Sequence, residues 1–202
     1  MQSRTFYTSP AKEWTEAQPL GNGSIGAMVF GKTDKEKICL NHDTLWSGMP
    51  KKITRGGAYD AFAETKKLAL EGKYKEAHKA ASDGFLGVNS EVYLPFGDMT
   101  LDFGEAGSIS DYCRELDLEK ALLTVSYISE GVSFRREYFI SYPDDVMAVK
   151  ISSDTQGKIN FLLSLSSPLK SKPSVLGDML VLDGECPGYT HADDPKNVII
   201  PE

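Results

Sequence analysis

From residue 98 to residue 185 the chain alternates apolar and polar side chains, and this period of two constrains the fold more than any other feature. "ALLTVSYIS" puts Leu123, Val125 and Tyr127 on one face and Thr124 and Ser126 on the other. After the turn "EG", "VSFRREYFIS" sends Val132, Phe134, Tyr138 and Ile140 one way. "DMTLDF", "YCRELDL", "DVMAVKIS", "KINFLLSLSS" and "MLVLDGE" read as further strands, the fourth of them with Ile159, Phe161, Leu163 and Leu165 on one face. The turn signals "SEG", "YPDD", "SDTQGK" and "LGD" lie between them. Successive strand residues point to opposite faces, so an alternating run buries one side only. Strands at this spacing, without helices between them, predict a mainly β fold: an antiparallel β-sandwich. Val125, Tyr127, Phe134 and Tyr138 are expected in the core, whereas Arg135, Arg136 and Glu137 are expected as solvated charges or cross-strand pairs.

Helical periodicity is confined to a small insertion around residues 58–82. It places Tyr59, Phe62, Ala63, Ala69 and Leu70 near one face, with Gly72 as a stop. A second short helix carries Tyr74, Ala77, His78 and Ala81 at i, i+3, i+4 and i+7, with His78 set against the domain body. Before it, "LNHDTLWSGMPKKITRGG" has no period and reads as a long structured loop.

"GNGSIG", residues 21–26, has the glycine spacing of a dinucleotide-binding fingerprint. That motif works only after a buried strand and at the start of a helix, whose amides hold the pyrophosphate. Here the preceding segment is polar and contains Pro19, and the following run Ala27–Phe30 stops at Gly31. A charged turn, "KTDKEK", leads to a second run, "ICL", which makes a β-hairpin. The hairpin puts Gly26 beside Asn41, so "GNGSIG" and "LNHDTLWSG" leave the same end of it. Gly21, Gly23 and Gly26 then serve a tight loop, by positive φ or by close approach of another segment.

Other features exclude more than they assign. The net charge is −7 and no Lys/Arg stripe exists, so no nucleic-acid partner is expected. No apolar run approaches the ~20 residues of a membrane span, so no membrane partner is expected. Cys39, Cys113 and Cys186 are scattered, as are His42, His78 and His191, and no metal site, disulfide framework or cofactor is implied. The N-terminus lacks the apolar core of a signal peptide. No internal domain boundary is evident, and "GECPGYTHADDPKNVIIPE" reads as the start of a linker.

The ordered segments "PAKEWTEAQPLGNGSIGAMVFG", "ICLNHDTLWSGMP", "LALEGKYKEAHKAA", "LPFGDMTLDF", "DYCRELDLEKALLTVSYISEGVSFRREYFISYPDDVMAVKIS" and "SLSSPL" resemble the N-terminal β-domain of glycoside hydrolase family 95. That family holds bacterial-type α-L-fucosidases, with some α-galactosidases. The resemblance implies a galactose-mutarotase-like super-sandwich over residues 1–190, with residues 191–202 starting a linker to an (α/α)6 barrel absent from this chain. It implies an extracellular or periplasmic setting and an inverting hydrolase. The general acid and the water-positioning residues of that family belong to the barrel, so none maps onto this chain, which is expected to be inactive alone. Glu13 and Glu16 are close in sequence, but their spacing does not make an inverting pair.

By the same resemblance, the two loops fall at the domain–barrel interface or the rim of the sugar pocket. Asn22 offers an amide and Trp46 a flat face for a sugar. The structural alternatives are a turn asparagine and a tryptophan packed on the sandwich. Family sequences usually carry an acidic residue where His42 stands, which leaves Asp43 as the carboxylate of interest. The partners implied are the barrel of the same polypeptide and, through the parent enzyme, an oligosaccharide. The competing reading is a stand-alone carbohydrate-binding β-sandwich module.

Overall fold

The computed structural model describes residues 3–48, 55–86 and 91–188. Two compact units are present: residues 3–46 with 93–186, and the described part of Ser47–Val92 with Pro187 and Gly188. The residues expected as a linker, 191–202, lie outside the described residues, as does His191.

The first unit is the antiparallel β-sandwich that the alternation predicts. One five-stranded sheet has the order β1 (Arg4–Tyr7), β6 (Ile109–Asp117), β7 (Leu122–Ser129), β8 (Val132–Ser141), β9 (Val146–Ser153). The other has the order β10 (Leu162–Ser166), β5 (Gly97–Asp102), β4 (Lys35–His42), β3 (Ile25–Val29), β2 (Gln18–Gly21). A separate hairpin joins β11 (Lys170–Leu176) to β12 (Met179–Glu185). Among the described residues every strand pair is antiparallel. The inner faces share one core: Leu20, Ala27, Val29, Ile38 and Leu101 from one sheet, Leu116, Leu123, Val125, Tyr127 and Tyr138 from the other. Tyr127 stacks on its cross-strand neighbour Phe134 at 5.3 Å.

Several expectations are corrected. β1 and β2 carry no alternation that marks them as strands, and β2 holds Pro19 because it is an edge strand, where a missing N–H costs nothing. β11 was not foreseen. "KINFLLSLSS" narrows to a strand of five residues, with Ile159 and Phe161 outside it and partly exposed. The charged turn is shorter than expected, because Lys35, Glu36 and Lys37 belong to β4.

Arg136 is the clearest departure. It is only 1% exposed, and its partner Glu36 is fully buried. Arg136 Nη1 lies 3.1 Å from Glu36 Oε2, a contact of charge against charge that is not aligned as a hydrogen bond. Arg136 Nη2 donates to the Lys32 carbonyl at 2.6 Å, and the guanidinium lies over the rings of Phe103 and Tyr127. Glu36 accepts from the Gly31 and Lys37 amides and from the Tyr138 hydroxyl. Period two puts Glu36 on the face of Ile38, and Arg136 on the face of Phe134 and Tyr138. The core therefore takes both charges as a pair that joins the two sheets.

The second unit holds α1 (Ala58–Leu70) and α2 (Tyr74–Gly84), separated at Gly72, whose φ of +76° favours glycine. Phe62 meets Phe85 edge to face at 5.5 Å. Ala77 is buried and His78 is exposed.

Candidate functional site

The β3–β4 hairpin has the expected register, with Gly26 opposite Asn41 and Ile25 opposite His42. "GNGSIG" closes the β2–β3 turn, where Gly21 pairs with Gly26 and no helix follows, so the geometry of a dinucleotide site is absent from this segment. The loops beyond both strands therefore meet at one end of the sheet. The Asp43 N–H donates to the Ser24 carbonyl at 3.0 Å. The three glycines differ in role. Gly23 has φ +98°, and a Cβ on Gly21 would press within 3.2 Å of the Ile25 carbonyl. Gly26 has neither constraint, which corrects the expectation that all three are required by the turn.

Asn22 holds the turn together. Its Oδ1 accepts from the Ser24 and Ile25 amides at 2.9 and 2.8 Å. Its Nδ2 donates to the Ser141 carbonyl at 3.0 Å and to Asp145 Oδ1 at 2.9 Å, reaching the β8–β9 turn of the opposite sheet. Both amide hydrogens and both carbonyl lone pairs are engaged, so a direct bond to a ligand has to displace one of them.

His42 and Asp43 lie beside it. Ser24 Oγ is 2.9 Å from His42 Nε2, while His42 Nδ1 is 2.8 Å from Thr44 Oγ1 and 3.2 Å from Asp43 Oδ1. A hydroxyl, an imidazole and a carboxylate in this order match a nucleophile with its base. Acyl transfer also needs free N–H donors aimed at the oxyanion. The Ser24 and Ile25 amides are both taken by Asn22, so the cluster fixes the loops and lacks that part of the machinery. Glu16 is committed as well. It accepts from the Lys12 and Glu13 amides, which hold its carboxyl below the ordinary range and close a short 3-10 turn, Trp14–Glu16.

Trp46 is 45% exposed, and its Nε1 donates to the Asp43 carbonyl at 2.9 Å. Its ring meets Tyr93 at 5.2 Å, its backbone bridges to Tyr93, and the Tyr93 hydroxyl donates to the His42 carbonyl at 3.1 Å. Sequence reasoning missed Tyr93, because its partners are some fifty residues earlier and no periodic run contains it.

Tyr93 is also one wall of a cleft of about 740 Å³ on the outer face of the β2–β5 and β10 sheet. Trp14, Pro19, Gly26, Met28, Cys39 and Asn41 contribute to its lining. Asp98 lies in it too, paired with Lys37 at 2.9 Å. Burial and the neighbouring Asp98 push the Cys39 thiol up to about 11, so it stays protonated and is a poor nucleophile. Among the described residues, no three of His, Cys, Asp or Glu gather as a metal site would require. No helix among them is long and apolar enough to cross a membrane.

Fold and site together define a β-sandwich domain with linked loops at one sheet end and an aromatic-walled cleft on one outer face. Residues 6–200 match the family model described as glycosyl hydrolase family 65, N-terminal domain, and the chain belongs to that family. It is 36% identical over 185 residues to "Alpha-L-fucosidase 2" of Arabidopsis thaliana, covering 89% of this chain and 22% of that protein. It is 34% identical over 147 residues to "Probable alpha-fucosidase A" of Aspergillus niger, covering 70% of this chain and 18% of that protein. A protein of the same name from Aspergillus oryzae is 30% identical over 160 residues, covering 75% of this chain and 22% of that protein. The chain thus spans about a fifth of the length of these plant and fungal relatives, and it is a glycoside hydrolase N-terminal domain by homology.

Proposed function

We propose that this chain is the non-catalytic N-terminal domain of a family 95-type glycoside hydrolase, an α-L-fucosidase or related exo-glycosidase. In this reading it packs on the (α/α)6 barrel of its parent polypeptide. The loops that carry Asn22, Asp43 and Trp46 face that barrel at the rim of its sugar pocket. The observation that carries the reading is that all three relatives are named as fucosidases and each matches this chain over only a fifth of its length. The loop geometry supports it: Asn22 and the His42 cluster hold the two loops rigid, while Trp46 and Asp43 remain exposed, as a preformed contact surface requires.

Hydrogen exchange compared between the 202-residue chain and its parent polypeptide tests this. Protection of residues 43–46 is expected to rise in the parent, and Trp46→Ala is expected to raise KM or loosen domain packing. Identical exchange and unchanged kinetics would leave these loops without the proposed role. A stand-alone carbohydrate-binding module is the second reading, and the open cleft walled by Trp14 and Tyr93 is what favours it.

A further inference from the structure

We infer that the cleft on the outer face of the β2–β5 and β10 sheet is a carbohydrate subsite for a neutral pyranoside, with Tyr93 as its stacking platform and the Asn41 amide as its polar floor. The inference rests on the reading that the parent polypeptide handles sugars, and it adds a site on the sheet face beside the loops assigned to the barrel rim.

Four observations converge. Tyr93 is 44% exposed yet fixed, by its hydroxyl on the His42 carbonyl, its ring on Trp46 and its backbone bridge. An exposed ring already held in place loses little freedom on binding, which is what a platform for the C–H face of a sugar requires. Asn41 spends its Oδ1 on the His42 amide at 2.8 Å, and among the described residues its Nδ2 has no partner. It is therefore a donor at the cleft floor with hydrogen-bonding capacity to spare.

Gly26, directly opposite Asn41, leaves the floor bare. A Cβ built there meets nothing within 4 Å, and its φ is not one that favours glycine. The absent side chain thus serves neither the turn nor the packing, and its effect is to keep the cleft open. Finally, the charge in the cleft is balanced. Asp98 is paired with Lys37, and the Cys39 thiol stays neutral. Electrostatics favour no ion, while the amide and the serine hydroxyl of Ser166 suit an uncharged polyol ring. The volume lies within the ~300–1,000 Å³ typical of small-molecule sites.

The test is a backbone amide NMR titration of the 202-residue chain with methyl α-L-fucopyranoside and with methyl α-D-galactopyranoside through the millimolar range. Shifts are expected at Gly26, Asn41, Tyr93 and Gly97. Gly26→Val fills the floor and suits a strand, so its melting temperature should hold or rise. The same variant should weaken binding by about tenfold or more, the equivalent of one lost contact. Tyr93→Leu should weaken it similarly. No shift at these amides with either glycoside overturns the inference, and so does equal affinity in Gly26→Val. If the parent polypeptide releases fucose while this cleft binds no sugar, the inference fails and the functional reading stands. Sugar binding here with no glycosidase activity in the parent gives the reverse.

Discussion

Replacing Glu36 with glutamine tests how the two sheets are joined. Gln keeps the shape, and its carbonyl can replace Oε1 as acceptor for the Gly31 and Lys37 amides at 2.8 and 3.0 Å. Its NH2 then stands where Oε2 accepted the Tyr138 hydroxyl and faced Arg136 Nη1 at 3.1 Å. Tyr138 can turn to accept, but a guanidinium cannot. The result is a buried cation without its counter-charge, which costs about 3–5 kcal/mol. That is a large share of a domain stability of about 5–15 kcal/mol. The double variant Glu36→Gln with Arg136→Met removes the stranded charge while Gln still serves the backbone amides. It should be less destabilised than the sum of the two single variants by about 2–3 kcal/mol. Urea unfolding of the four proteins, followed by fluorescence and circular dichroism, measures the cycle. Additive effects, or a cost below about 1 kcal/mol for Glu36→Gln, would mean that the pair does not join the sheets as described.

Asn22→Ala breaks four hydrogen bonds, including both links to the β8–β9 turn, and should cost about 1–3 kcal/mol in thermal or urea unfolding. Gly23→Ala meets no neighbouring atom, so its cost of about 1–3 kcal/mol comes from backbone conformation alone. Glu16, Glu137 and Asp154 have carboxyls held below their ordinary values of 4.5, 4.5 and 3.8, the first by the Lys12 and Glu13 amides, the second by Arg135 and the third by Thr155. Their stabilisation is present above those values and is lost as pH falls through the depressed folded ones, so the urea midpoint should decline there, and less steeply in a variant neutralised at all three. Iodoacetamide at about pH 8 should label exposed Cys186 well before Cys39, and denaturation should erase the difference.

Much of the fold was legible because alternation is a local signal. Leu123, Val125 and Tyr127 are buried on one face as their spacing requires, and the β3–β4 register followed from two short apolar runs and the turn between them. Arg136 was misread because its charge was weighed above its parity. The neutralising partner, Glu36, is a hundred residues away, on the other sheet, and no local pattern announces it. β1 escaped for a similar reason: "RTFY" is a strand only because it pairs with Glu115 and its neighbours in β6. At the site, the meeting of the two loops was readable from the hairpin. The engagement of Asn22 with Ser141 and Asp145 was not, nor was the fixing of Tyr93 by Trp46 across the helical segment. Both depend on long-range packing that brings side chains distant in sequence together.

The central claim, a non-catalytic domain of an α-L-fucosidase-type hydrolase, is tested most directly by release of chromophore from an aryl α-L-fucoside. The 202-residue chain and its parent polypeptide are assayed side by side, each at high protein concentration and after repurification. The account predicts release by the parent and none by the chain. Turnover by the chain that disappears with a point substitution within it, or a parent that leaves aryl α-L-fucosides and α-galactosides uncut, would contradict the account.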